Sequence, residues 1–143
     1  SLFDVLKKRK VAQVVVMEGR PDLGALRSSC SELVKRRIQP TVITDNMAGF
    51  LFYKHWVKEI WIAYQTEEKA GCSCAIGSLI LAVLGKRHDV PVYAYPAAKK
   101  LKYIGAPKDL LFFNGKRMAP AQIKTYVPLI DWVPGKYITK IYG

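Results

Sequence analysis

The chain has 143 residues, of which half are apolar and 24% are charged. This composition fits one compact domain, residues 1–143, and argues against a disordered chain or a membrane-spanning protein. Lysine and arginine together number 23 against 11 acidic residues, which leaves a net charge of +12. The excess predicts attraction to nucleic acid, a phosphorylated metabolite or an acidic protein, and a basic surface without any such partner is an equal alternative.

The N-terminal segment does not resemble a signal peptide. Its basic run, Lys7–Lys10, precedes a short apolar segment, Val11–Met17, and acidic Glu18 follows without a small-residue cleavage site. Three cysteines, an odd number, argue for reduced thiols and against a disulfide framework. We therefore expect a cytoplasmic protein that does not associate with membranes.

Four short apolar runs rich in β-branched and aromatic residues predict strands that are buried on both faces. They are Val11–Met17, Thr41–Thr44, Ile60–Tyr64 and Val90–Tyr95. Three predicted helices separate them: Leu26–Arg37, Met47–His55 and Cys74–Arg87. This alternation predicts an α/β fold with a doubly wound, mostly parallel sheet. Beyond Pro96 the pattern is irregular, and the last segment, Tyr126–Tyr142, predicts one more short strand or helical turn at the sheet edge.

Ligands of such sheets bind at the carboxyl ends of the strands, so the loops there are the candidate sites. In the first loop Asp22 is placed to cap the following helix, while Arg20 and Arg27 bring guanidinium groups toward its N-terminus. This arrangement predicts a phosphate site. The alternative, slightly favoured, is that Arg20 forms a structural ion pair with Glu18 or another carboxylate.

The second loop places Asp45 and Asn46 directly after the second strand. Asp45 either caps the next helix or accepts hydrogen bonds from a bound hydroxyl group, and capping is the favoured interpretation.

Two cysteines, Cys72 and Cys74, lie at the predicted start of the third helix. A helix N-terminus lowers thiol pKa values, which would make them reactive, but small core residues are the favoured interpretation. A zinc site would need about two further ligands. Cys30, His55 and His88 are the remaining candidates, but both histidines lie near predicted helix ends and not at the carboxyl ends of strands, so we expect no metal. We also expect no cofactor.

Basic stretches with aromatic neighbours lie at residues 99–103 and 52–56. They could contact a phosphate backbone and stack on bases, although such stretches more often form a solvated surface or an oligomer interface.

Five sequence blocks carry a family resemblance. They are GRPDLGALRSSCSEL at 19–33, IQPTVITDNMAGFL at 38–51, AIGS at 75–78, VPVYAYPA at 90–97 and PLIDWVPGKYIT at 128–139. Together they resemble the C-terminal domain of the family that contains translation initiation factor 2B subunits alpha, beta and delta, methylthioribose-1-phosphate isomerase and ribose-1,5-bisphosphate isomerase. The resemblance implies a Rossmann-like fold, a dimer formed through this domain, and a sugar-phosphate or nucleotide pocket at the strand ends.

At several positions this sequence differs from the residues that carry the isomerase reaction in the family it resembles. The catalytic aspartate that the resemblance places after the third strand is replaced by Tyr64 or Gln65. The family's Asn-Lys pair is Cys74-Ala75 here, and a substrate-contacting glutamine is Gly24. The isomerases' cysteine and their N-terminal helical domain belong to a segment that this sequence lacks.

These features predict a non-catalytic domain, a homodimer or larger assembly, that acts in assembly or binds a phosphorylated small molecule. The candidate ligand-binding residues are Arg20, Arg27, Asp45, Asn46 and Ser73. One alternative is a sugar-phosphate aldose-ketose isomerase half that a partner chain completes. Another is a basic translation-related factor that binds RNA or an acidic protein.

Overall fold

In the computed structural model, which describes residues 1–143, the first unit comprises residues 1–56 and contains two parallel strands. Strands β1 (Gln13–Met17) and β2 (Gln39–Ile43) pair with Met17 opposite Ile43. Its helical segments are α1 (Leu2–Lys8), a π-helical turn (Ala25–Ser29), α2 (Cys30–Lys35) and α3 (Ala48–Tyr53). Because β1 and β2 are parallel, the loops that follow them emerge at the same edge.

The second unit, residues 57–143, is built on a five-stranded mixed sheet in the order β8-β4-β3-β5-β9. Its strands are β3 (Ile60–Glu68), β4 (Gly71–Ala75), β5 (Val92–Pro96), β8 (Ile130–Pro134) and β9 (Lys140–Ile141). Strands β3, β5 and β9 run parallel to one another, whereas β4 is antiparallel to both β3 and β8. The prediction that residues 1–143 form one domain stays a prediction.

Helix α4 (Ser78–Arg87) connects β4 to β5 and packs closely against the sheet. A Cβ atom at Gly85 would lie 2.7 Å from Val92 Cγ2 and 2.8 Å from Ile60 Cδ1. Glycine is therefore required at this position for the helix to approach β3 and β5. None of the helices in the chain is long and apolar enough to cross a bilayer.

The predicted helix Cys74–Arg87 begins later than expected, at Ser78. Residues 71–75 instead form β4, which pairs with β3 on one side and β8 on the other. The tertiary pairing with two neighbouring strands determines the conformation of this segment, and it places Cys72 and Cys74 in a strand and not at a helix start.

The C-terminal segment was expected to add one strand or turn and contributes two strands at opposite edges of the sheet, β8 and β9. A 3-10 turn, Gly135–Tyr137, separates them. The irregular stretch before them contains α5 (Lys108–Leu111) and a hairpin of β6 (Phe112–Phe113) and β7 (Lys116–Arg117). The hairpin turn, Asn114-Gly115, has positive φ angles of 51° and 76°, as such two-residue turns require.

Candidate functional site

In the first unit, the carboxylate of Asp45 holds the loop that follows β1. Its Oδ1 accepts a hydrogen bond from the Gly19 amide at 2.9 Å, and its Oδ2 accepts one from the Arg20 amide at 2.7 Å. Helix α3 begins after Met47 without any side-chain cap, so the favoured interpretation of Asp45 as a helix cap is wrong. Asp45 joins the ends of β1 and β2.

The other predicted residues of these loops also bind the protein itself. The Arg27 guanidinium donates to the Asp22 carbonyl oxygen at 2.6 Å, and Asn46 Oδ1 accepts from the Thr44 hydroxyl at 2.6 Å. Asp22 accepts from the Gly24 amide at 3.1 Å within the turn, and it does not cap the helical segment that starts at Ala25. These contacts explain the loop conformation, while the predicted ligand-binding role of Arg20, Arg27, Asp45 and Asn46 stays a prediction.

In the second unit, a β-bulge at Gln65 interrupts the pairing of β3 with β4. The bulge directs the Gln65 amide toward the loop after β5: Nε2 donates to the Lys99 carbonyl at 2.9 Å, and Oε1 accepts from the Leu101 amide at 2.9 Å. A neutral side chain therefore fixes this loop with one donor and one acceptor.

The predicted site residue Ser73 lies on β4, opposite Thr66 of β3. Their hydroxyl oxygens are 2.6 Å apart, and Ser73 Oγ also accepts from the Thr66 amide at 3.1 Å. The two hydroxyl groups form a polar pair beside the bulge.

A cleft of about 310 Å³ opens at the carboxyl ends of β3 and β5. Its walls are Gln65, Thr66, Ser73, Ala97, Ala98, Lys99, Lys100, Leu101, Tyr103 and Ile130. The lysines are exposed, and the walls contain no carboxylate and no imidazole. Two ammonium groups with the hydroxyls of Thr66, Ser73 and Tyr103 suit an anionic ligand, whereas no wall residue ordinarily titrates near neutral pH.

Tyr64, which precedes the bulge, is held by the C-terminal residues. Its hydroxyl donates to the Tyr142 carbonyl at 2.7 Å, and burial raises the pKa of the phenol above its usual range. Tyr64 and Gln65, at which the sequence resemblance predicts the family aspartate, are thus both engaged in hydrogen bonds with the backbone.

The start of α4 is occupied by a carboxylate that sequence reasoning did not single out. Asp131 Oδ2, on β8, accepts from the Gly77 amide at 2.8 Å and from the Leu79 amide at 3.1 Å. The positive end of the helix dipole is thereby neutralised within the chain. The only signal in the sequence was the position of Asp131 inside the block PLIDWVPG.

The cysteines of β4 are buried, with Cys72 and Cys74 both 0% exposed. Burial raises the pKa of Cys72, and it raises the pKa of Cys74 to about 12. The alternative of reactive thiolates is therefore wrong, because burial keeps these thiols protonated. The structure contains no group of three or more His, Cys, Asp or Glu residues that could hold a metal ion.

A second opening, of about 400 Å³, lies at the amino end of β5. One of its walls is formed by Thr139, whose hydroxyl accepts from the Val92 amide at 3.0 Å. Ligands of open α/β sheets bind at the carboxyl ends of the strands, so this opening is the weaker candidate.

Comparison with protein families matches residues 2–142 to the initiation factor 2 subunit family. Among curated proteins, the chain is 33% identical over 144 residues to methylthioribose-1-phosphate isomerase of Syntrophus aciditrophicus, covering 92% of this chain and 39% of the relative. It is 30% identical to a putative methylthioribose-1-phosphate isomerase of Archaeoglobus fulgidus, covering 95% of this chain and 43% of the relative. The chain thus spans less than half the length of these relatives.

Two solved structures share the fold. The crystal structure of 5-methylthioribose 1-phosphate isomerase from Pyrococcus horikoshii matches with a TM-score of 0.83 and 27% identity, over 98% of this chain and 43% of the other. Translation initiation factor eIF-2B subunit delta from A. fulgidus matches with a TM-score of 0.85 and 24% identity, over 98% and 44%. These matches confirm the predicted α/β, Rossmann-like fold.

Proposed function

The chain belongs to the initiation factor 2 subunit family, and from this premise we propose that it is a non-catalytic domain that binds a phosphorylated small molecule. The proposed site is the cleft at the carboxyl ends of β3 and β5. The ligand class is a sugar phosphate or a nucleotide, and the three free cysteines support a cytoplasmic setting.

The observation that carries the proposal is the composition of the cleft walls. Lys99 and Lys100 supply positive charge, and the hydroxyls of Ser73 and Thr66 supply short polar groups on the adjoining strands. Charge-assisted hydrogen bonds to a phosphate are stronger than neutral ones, so an anionic ligand gains most from this wall.

The non-catalytic part rests on Tyr64 and Gln65. Aldose-ketose isomerisation needs a group that accepts and returns a proton within hydrogen-bond reach of the sugar. Gln65 does not titrate, and Tyr64 already donates its proton to the Tyr142 carbonyl. Neither side chain is therefore suited to replace the aspartate of the isomerases.

Binding is tested by calorimetric titration with three probes: inorganic phosphate, AMP and methylthioribose 1-phosphate. We expect the double variant Lys99→Ala/Lys100→Ala to weaken binding about tenfold or more, because it removes both cations of the cleft. The matched control, Lys8→Ala/Lys58→Ala, removes the same charge at exposed positions outside the cleft and should bind as the wild type does.

A third double variant, Arg20→Ala/Arg27→Ala, tests the residues predicted in the first unit. If it abolishes binding while the Lys99/Lys100 variant does not, the ligand site is the loop after β1. Failure of all three probes to bind at low ionic strength would overturn the ligand-binding proposal.

The similarity to methylthioribose-1-phosphate isomerases favours one alternative, an isomerase half that a partner chain completes. Turnover of methylthioribose 1-phosphate to its ketose phosphate, by the chain alone or with a co-purifying partner, would establish this alternative and overturn the non-catalytic role.

We also propose self-association as a homodimer or larger assembly. Helix α4 exposes Ile80 (58%) and Val83 (42%), three residues apart on one face, and apolar side chains so exposed favour a protein interface. Light scattering during size exclusion should give a mass above 16.1 kDa, which Ile80→Glu/Val83→Glu should return to that of the monomer. A monomeric wild type at micromolar concentration would refute self-association.

A further inference from the structure

The stretch from residue 102 to residue 126, which we name the basic arm, concentrates positive charge. Its cationic side chains are Lys102, Lys108, Lys116, Arg117 and Lys124, against a single acidic residue, Asp109. The Asp109 carboxylate accepts a hydrogen bond from the Ala106 amide at 2.8 Å, inside the arm. The arm therefore carries an excess of four positive charges that its own residues do not neutralise.

The same arm exposes large apolar side chains. Phe113 is 56% exposed, Met118 is 63% exposed and Tyr126 is 76% exposed. In the hairpin, Phe113 pairs with Lys116, and the Met118 amide donates to the Leu111 carbonyl at 2.7 Å. Paired residues of antiparallel strands share a face, which places Phe113, Met118 and Lys116 on one side of the hairpin.

The hairpin is held in place by contacts within the arm, including those on its opposite face. The Arg117 guanidinium lies 5.5 Å from the centre of the Phe112 ring, and its Nε donates to the Ala119 carbonyl at 2.9 Å. Leu111, immediately before the hairpin, is only 8% exposed and anchors its base. A preformed surface loses little conformational entropy when a partner binds, which favours its use as an interface.

The charge and the side chains of the arm distinguish among partners. A second copy of this chain would place like charges opposite each other, which disfavours pairing of two arms. RNA would use the cations and aromatic rings, but it has no need for exposed aliphatic groups such as Met118 and Ile123. Aromatic residues, methionine and arginine together are typical of protein interfaces.

We propose that the basic arm is a docking surface for an acidic protein segment that carries apolar side chains. The apolar side chains of the partner pack on Phe113 and Met118, and its carboxylates lie against Lys116 and the neighbouring cations. This inference goes beyond the proposed ligand site, because Tyr103 is the one residue of the arm that lines the cleft, and the hairpin side chains form none of its walls.

The test measures fluorescence anisotropy of a labelled 12-residue peptide that alternates glutamate with leucine and phenylalanine. We expect the peptide to bind, and Phe113→Ala/Met118→Ala to weaken binding about tenfold. Lys116→Glu should weaken it further and flatten its salt dependence. The matched control is Phe50→Ala/Met47→Ala, which truncates side chains of similar exposure, 57% and 50%, in the first unit and should leave the affinity unchanged.

Two further probes decide the partner class. A peptide with serine in place of each leucine and phenylalanine should bind at least about tenfold more weakly, because it lacks apolar groups. A 12-nucleotide oligouridylate that binds more tightly than the apolar peptide would overturn the proposal in favour of RNA. Equal affinity of the wild type and Phe113→Ala/Met118→Ala, with unchanged thermal unfolding of both, would overturn it outright.

Discussion

The two units use different side chains to hold the loops that follow their strands. In the first unit a charged carboxylate, Asp45, accepts two backbone hydrogen bonds and ties together the loops after β1 and β2. In the second unit a neutral amide, Gln65, holds the loop after β5, and the ammonium groups of Lys99 and Lys100 face an open cleft. The Asp45 carboxylate is thus hydrogen-bonded within the protein, whereas the lysines beside Gln65 line the cleft.

The largest effect should follow from Asp45→Ala. The substitution leaves the half-buried amides of Gly19 and Arg20 without their acceptor, which should lower the free energy of unfolding by about 3 kcal/mol. Urea denaturation measures the loss. Asn46→Ala is the matched control, because Asn46 is exposed and bonded only to the Thr44 hydroxyl. A loss for Asp45→Ala no larger than that of the control would contradict the structural role of Asp45.

Gln65→Ala should have a smaller effect on stability and a clear effect on the cleft. It removes one donor and one acceptor from the loop of Lys99 and Leu101, and we expect a loss of about 1.5 kcal/mol. The affinity for phosphate should fall as well, because the backbone that carries Lys99 and Lys100 is no longer held by the Gln65 side chain. Gln39→Ala is the control, since the exposed Gln39 amide contacts only the carbonyl of its neighbour Pro40. Unchanged ligand affinity in Gln65→Ala would show that the conformation of the Lys99–Leu101 loop does not affect ligand binding.

Alkaline pH should destabilise the second unit through its buried thiols. Burial raises the pKa of Cys74 from 9.0 to about 12, so the unfolded chain loses this proton first as the pH rises. The stabilisation is complete below about pH 9 and is lost progressively toward pH 12. By pH 10 the loss should be about 1 kcal/mol.

Urea midpoints between pH 7 and pH 10 measure this alkaline effect, and Cys74→Ala should show a flatter profile than the wild type. In the native protein at pH 8, a thiol reagent should modify the half-buried Cys30 before Cys72 or Cys74. Rapid labelling of all three thiols would show that β4 is not protected as the structure requires.

Acidic pH should have the smallest effect, and it acts on the first unit. Arg36 Nε contacts Asp4 at 2.9 Å, and Arg36 Nη1 contacts Glu32 at 2.7 Å, so hydrogen bonds to the guanidinium lower the pKa of both carboxyls. Their stabilisation is present above the ordinary values of 3.8 and 4.5 and is lost as the pH falls below them.

Arg36→Met should flatten the fall in the urea midpoint between pH 5 and pH 3. The difference between wild type and variant should shrink in 0.5 M salt, because exposed charges are screened. A variant profile as steep as that of the wild type would show that the acid sensitivity has another origin.

The strands that the sequence predicted well are those with long apolar runs. The predicted runs Val11–Met17 and Ile60–Tyr64 correspond to β1 (Gln13–Met17) and the start of β3, and the apolar segment before Arg87 became α4. Strand β4 was missed because Gly71-Cys-Ser-Cys-Ala75 is small and mixed in polarity, without a periodic pattern. Strand β4 follows β3 after two residues, but its other partner, β8, lies far away in sequence, and that pairing cannot be read from local residues.

For the candidate site, the rule that ligands bind at strand ends directed attention to segments that include Ser73 and Lys99, both of which line the cleft. The rule could not show which polar side chains were already bonded within the protein. Asp45 looked like a helix cap because a helix follows it, and its true partners lie 25 and 26 residues away. Asp131 was passed over because its partners at the start of α4 lie more than 50 residues away.

The amino-acid sequence by itself determined the alternation of strands and helices, the family and the excess of positive charge. These properties depend on local hydrophobic periodicity, on motif order and on composition, all of which are visible along one chain. Only the tertiary structure decided which charges are neutralised, which thiols are buried and which lysines face an open cleft. Each of these properties depends on residues that are distant in sequence but close in space, because hydrogen bonding and burial depend on spatial proximity.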